Sequence, residues 1–222
     1  MGGTTDTRRS AGIWCQRQRI GGDGAVAARR HGQAAALGRE QELGLIDSLR
    51  DRFPEEVGFG GELWTRQSLG ALVAKRFGVE LGDSTLSRYM RSWGLMPDGP
   101  EERACPLCAA AVARWMSGDY LAVARAALEQ RAEIYFVGRT RLQGVTPATE
   151  ALSAVSARGW ARFLMMTMGM PAALPRRFLY GLSGVQKRPV QVIVDGSWSA
   201  AEWPRRLPER IVLHALPSCE RA

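Results

Sequence analysis

The sequence predicts a mixed α/β protein, with an N-terminal helix-turn-helix, winged-helix-like module followed by a half built of strands and helices. Three observations carry that expectation. Residues 63–95 (LWTRQSLGALVAKRFGVELGDSTLSRYMRSWGL) hold two stretches with apolar residues at helical spacing, joined by a short turn. Residues 97–103 make a polar hinge. Beyond the hinge the order is helix, strand, hairpin, helix, strand, strand, which is an α/β order.

Residues 1–38 are rich in Gly, Ala and Arg with few large apolar groups. Such a segment buries too little surface to offset its ordering entropy, so a disordered basic tail is expected. Arg8, Arg9, Arg17, Arg19, Arg29 and Arg30 would let it track a phosphate backbone or minor groove, or simply solvate it. Residues 39–53 (REQELGLIDSLRDRF) read as a helix with Leu43, Ile46, Leu49 and Phe53 on one side, stopped by Pro54. Residues 55–62 form a glycine-containing loop.

In the organising stretch, Leu69, Leu72, Val73 and Phe77 form one apolar stripe, and Gly78 follows where a helix end takes a left-handed residue. Asp83 or Ser84 is placed to cap the second helix. Its buried face is Leu86, Tyr89, Met90 and Trp93, and Gly94 ends it. Ser84, Ser87, Arg88 and Arg91 fall on the opposite side. Hydroxyls and guanidinium groups on the outer face of a second helix suit base edges and phosphates in a major groove. Arg66, in the same stretch, is the further candidate for DNA contact. The plainer alternative is that any amphipathic helical hairpin has such a polar face. Residues 39–96 are thus expected to form the DNA-binding domain.

Residues 97–131 supply the hinge and a long Ala-rich helix over 109–131, with Gly118 as a point of interruption. Residues 133–137 (EIYFV) read as a short strand. Residues 151–157 and 160–167 read as two strands turning at Arg158 and Gly159. Residues 171–185 have partial helical character, weakened by Pro175. Residues 190–194 (VQVIV) and 211–216 (IVLHAL) are two further strands.

The net charge of +8 is supplied almost entirely by Arg and favours a polyanionic partner. A membrane-surface or ribosomal protein would share that balance. The sequence has no apolar run long enough to span a bilayer, and its start lacks a signal-peptide core. A cytoplasmic, nucleoid-associated protein without a membrane partner is expected. Cys105 and Cys108 have the spacing of half a zinc knuckle, but Cys15 and Cys219 lie near opposite ends. Two reduced thiols are therefore the expected state.

Several blocks line up in order: the 63–95 helical pair, AEIYFVG at 132–138, SAVSARG at 153–159, VIVDG at 192–196 and IVLHALPS at 211–218. Together they resemble bacterial insertion-sequence transposases of the Tc/mariner superfamily, of the type using three acidic residues. The resemblance runs from about residue 24 onward, and its most specific parts are the helical pair and VIVDG. It implies an N-terminal region that binds double-stranded DNA at inverted-repeat ends, with a homodimer on paired ends. It also implies that residues 132–222 are part of a ribonuclease-H-like catalytic domain. There, three carboxylates would hold two magnesium ions roughly 3.5–4 Å apart; hard oxygen ligands suit that ion.

The sequence departs from that pattern at the acids. Gly138-Arg139-Thr140 stands where the family has its first acid after the glycine. Asp195 retains the second, and Ser197 replaces a histidine that follows it in the family. The third lies beyond the Leu216-Pro217-Ser218 block, after which only four residues remain. Glu133 begins the same strand as Arg139 but would sit roughly 20 Å away, and Glu150 and Glu220 are the other acids nearby. Asp195 is thus the sole family acid, an insufficient magnesium ligand by itself. The expectation is a DNA-binding protein of transposase descent that has lost cleavage and strand transfer. The alternatives are a stand-alone helix-turn-helix transcriptional regulator and a nonfunctional transposase remnant.

Overall fold

A computed structural model describes residues 36–96, 108–169, 173–184, 188–194 and 207–217. Residues 1–35 of the basic tail, the 97–103 hinge, Cys105, Asp195 and Glu220 lie outside the described residues, whereas Leu37, near the end of the tail expected to be disordered, is buried. Cys108 is half-buried just before a helix.

Helix α1 (Arg39–Leu49) buries Leu45, Ile46 and Leu49. It ends four residues short of Phe53, the expected terminus, because the chain docks onto the sheet there. Asp51 adopts a left-handed φ of 55°. Its amide donates to the Met165 carbonyl at 2.9 Å, and its carboxylate accepts from the Thr167 amide and hydroxyl at 2.8 and 2.6 Å. Pro54–Val57 is a single 3-10 turn.

Trp64–Thr65, expected as the start of a helix, forms strand β1 instead. Thr65 then caps α2 (Arg66–Phe77). Its hydroxyl accepts from the Ser68 amide at 3.1 Å, while Ser68 Oγ accepts from the Thr65 amide at 2.9 Å. This reciprocal box satisfies two amides at the helix start. Gly78 ends α2 at φ 66°, as its position after the apolar stripe predicts. Helix α3 (Asp83–Ser92) starts from Gly82, with no side-chain cap. Asp83 does not cap it because its carboxylate is engaged by Arg66 (3.0 Å). The expected long helix is two, α4 (Ala109–Ser117) and α5 (Asp119–Gln130), broken at Gly118.

The sheet strands follow as β2 (Glu133–Arg141), β3 (Thr149–Ser156) and β4 (Ala161–Thr167), then α6 (Ala173–Gly184), β5 (Val190–Val194) and β6 (Ile211–Ala215). Strand β2 runs four residues past its expected end because β3 pairs with it as far as Arg141↔Glu150. Pro175 does not break α6, since the first-turn amides have no intrahelical acceptor to lose. The spatial order is β1-β4-β3-β2-β5-β6. Strands β2, β3 and β4 form an antiparallel meander, while β5 and β6 run parallel to β2. The protein is therefore mixed α/β, with a helix-turn-helix module and a mixed sheet.

Alternation along the strands gives the sheet two apolar faces. Tyr135, Val137, Leu152, Leu164 and Val192 pack with α6 through Phe178, Leu179 and Leu182. On the other face, Ile134, Phe136 and Ile193 receive α5 through Tyr120, Ala124 and Ala127. That second face also carries His214, whose imidazole meets Gln191 Oε1 at 2.7 Å and whose pKa burial lowers below the ordinary 6.5.

Helices α1, α2 and α3 share a single core with the meander. Leu45, Ile46, Leu49, Trp64, Leu69, Leu86 and Met90 belong to one cluster with Leu142, Ala151, Val155, Phe163 and Met165. Strand β1 adds a backbone ladder, Trp64↔Phe163 and Thr65↔Arg162. Residues 39–96, expected to form the DNA-binding domain, thus share this core with the sheet.

The end of α3 is fixed against β2 by Gly94. Its φ is 69°, and a Cβ there would lie 2.3 Å from Thr140 Cγ2; the Thr140 hydroxyl donates to the Gly94 carbonyl at 3.1 Å. Gly94→Ala is expected to destabilise the fold by about 2–4 kcal/mol, through left-handed strain and a clash against β-branched Thr140. Denaturant unfolding checks this. Gly60→Ala serves as the control, since its backbone is not left-handed and nothing lies within 4 Å.

Candidate nucleic-acid interface

Helix α3 is held from beneath and from both sides. Leu86, Tyr89, Met90 and Trp93 are buried, as their spacing predicts. The Tyr89 hydroxyl accepts from the Leu37 amide at 2.9 Å, and Trp93 Nε1 donates to Glu42 Oε1 at 2.7 Å. These bonds tie the buried face of α3 to α1 and the segment before it. Rotation of α3 about its axis would break both, so the outer face is presented in a fixed orientation.

That outer face carries the residues singled out in the sequence. Ser84, Arg88 and Arg91 are exposed and Ser87 is half-buried. Neither the Arg88 nor the Arg91 guanidinium pairs with a described residue. An exposed unpaired guanidinium keeps all five donors for an incoming acceptor. Arg66 is differently placed. Its Nη2 meets Asp83 Oδ2 at 3.0 Å and its Nη1 donates to Ser87 Oγ at 3.3 Å. It spans from α2 to the first turns of α3 and neutralises the acid at the head of that helix. The pair is largely exposed, so it adds little stability; its effect is to hold Ser87 and Asp83 in place.

Sequence reasoning missed the hairpin beside this face. An open groove of about 390 Å³ is lined by Arg66, Asp83 and Met90 on the helical side and by Gly159, Trp160 and Arg162 on the β3–β4 side. The hairpin turn is thereby set next to α3. Exposed Trp and Arg at a hairpin turn were the available signal, but nothing in the sequence indicated that β1 joins β4.

The proposed metal position is less complete. Arg139 is half-buried in β2, opposite Leu152 of β3. Glu133 lies six residues earlier on the same strand, and Glu150 pairs with Arg141 near the other end of the meander. Among the described residues no group of three His, Cys, Asp or Glu side chains could hold a metal ion. Asp195 directly follows β5, outside the described residues.

Residues 60–118 match the family model described as winged helix-turn helix. No curated relative matches the chain. A solved structure of the Mos1 strand transfer complex aligns with 16% identity over 98% of this chain and 69% of that chain, at a TM-score of 0.29. Among the described residues no helix is long and apolar enough to cross a membrane.

Proposed function

We propose that this protein binds double-stranded DNA through α3, is descended from an insertion-sequence transposase, and recognises the inverted-repeat ends of a mobile element without cutting them. The observation that carries the reading is the outer face of α3. Arg88 and Arg91 stand exposed and unpaired among the described residues, on a helix whose rotation is locked by Tyr89 and Trp93. The match of residues 60–118 to a winged helix-turn-helix family and the charge of +8 support it. A homodimer on paired ends and association with the nucleoid belong to the same proposal.

The resemblance in the sequence implies magnesium, and the residues present do not fit a two-metal site. A guanidinium at 139 stands at an acid position of the family, and like charge repels the ion. The remaining carboxylate, Asp195, binds a reluctantly dehydrated cation weakly by itself. The sheet supports the ancestry through its placement of strands: β2, which carries Arg139, lies beside and parallel to β5, which leads into Asp195.

Selection of bound sites from random duplexes at physiological salt tests the reading. The expected product is a motif matching inverted-repeat ends of a related element. An operator next to a promoter would favour a transcriptional regulator, and unenriched, salt-sensitive binding would indicate a remnant. On the selected site, Asp195→Asn is expected to bind as the unaltered chain does, and neither protein should nick DNA with magnesium or manganese. Nicking that disappears in Asp195→Asn would overturn the loss of catalysis.

A further inference from the structure

We infer that the β3–β4 hairpin turn is a second DNA-contacting element, clamping the sugar–phosphate backbone that flanks the groove entered by α3. The inference rests on the reading of α3 as the DNA-contacting helix. It concerns residues far from that helix in sequence and outside the 60–118 segment matched to the winged helix-turn-helix family.

The turn is built rather than loose. Ser156 is fully buried and organises it: Ser156 Oγ accepts from the Arg158 and Trp160 amides, each at 3.2 Å. The Ser156 carbonyl accepts from the Gly159 amide at 2.8 Å, and its amide donates to the Trp160 carbonyl at 2.9 Å. Gly159 takes φ 80°, the left-handed geometry such a turn needs. On this support Trp160 is 51% exposed, although an indole of that size normally finds cover. The Arg158 guanidinium lies 5.9 Å from its ring centroid. An Arg beside a Trp ring at this hydrogen-bonded tip presents an apolar plate and a cation together, which matches a deoxyribose and its phosphate.

Position makes the tip part of one surface with α3. Among the described residues of 60–118 the strand present is β1, only two residues long, and its partner is β4. That pairing draws the meander up to the head of α2, so the tip and α3 flank the same groove. The charges agree with a polyanion. Arg66, Arg158 and Arg162 lie at or beside the groove, and its acid Asp83 is already paired with Arg66.

The test compares the full chain with Arg158→Ala/Trp160→Ala and, separately, Arg88→Ala on two duplexes. One holds the selected site with about ten base pairs of flank on each side, and the other holds the site alone. Both altered residues at the tip are exposed, and equal thermal melting of the double variant confirms that its fold is kept. The expected result is about tenfold weaker binding to the flanked duplex, a salt slope smaller by about one phosphate, and an unchanged base motif. Hydroxyl-radical footprinting should lose a protected backbone patch outside the motif. Unchanged affinity, slope and footprint in the tip variant, with Arg88→Ala still impaired, would overturn the hairpin inference and leave the reading of α3 intact. Absence of duplex binding by the unaltered chain would overturn both.

Discussion

A fragment ending at Met96 and starting at residue 36 is expected to lose its cooperative thermal transition. The cut removes Leu142, Val155, Phe163 and Met165, which share a core with α1, α2 and α3. Burying four such side chains is worth about 6–12 kcal/mol, comparable with the whole net stability of a domain, about 5–15 kcal/mol. The loss is not confined to side chains. Trp64 and Thr65 lose their ladder to Phe163 and Arg162, and Asp51 loses Met165 and Thr167. A chain of about 60 residues has little surplus burial with which to compensate. Circular dichroism is expected to show helical signal without a sharp melt. A sigmoidal transition within a few degrees of the intact protein would contradict the shared core.

The same packing explains which parts of the fold were legible. Helices α2 and α3 announce themselves because their burial follows local period: Leu69, Leu72 and Val73 in one, Leu86, Tyr89 and Met90 in the other. Gly78 marks an end for a local reason as well, its left-handed φ. Strands β3 and β4 were readable from alternating and apolar runs on each side of Arg158 and Gly159. What failed was decided by distant partners. The true end of α1 depends on Asp51 meeting Met165 and Thr167, 114 and 116 residues away. Strand β1 exists because Phe163 and Arg162 lie beside Trp64 and Thr65.

The candidate site divides along the same line. Ser84, Arg88 and Arg91 were legible as an outward face from helical spacing, and the structure leaves all three exposed. Arg66, a candidate for DNA contact, is engaged by Asp83 and Ser87 across the turn, a pairing that needs the crossing of α2 and α3. Arg158 and Trp160 could not be attached to the site from sequence, because only the β1–β4 pairing brings them to α3.

Replacing Arg88 by Ala is expected to weaken binding at the selected site by about 1–3 kcal/mol, roughly five- to 150-fold. The expectation follows from the locked orientation of α3. Tyr89 and Trp93 pin its inner face through Leu37 and Glu42, so Arg88 cannot be replaced by a small rotation that brings another side chain forward. Its guanidinium has no described partner to recover, and its exposure means that truncation leaves the core unchanged. A guanidinium on a base edge discriminates among bases, whereas one on a phosphate weakens all sequences alike and lowers the salt slope. The deciding measurement is therefore the affinity of the intact chain and of Arg88→Ala for the selected duplex and for a scrambled one, at several salt concentrations. The account predicts a loss on the selected duplex that exceeds the loss on the scrambled one, with the thermal melt unchanged. Equal affinity of the two proteins for the selected duplex would contradict the assignment of α3 as the DNA-contacting helix.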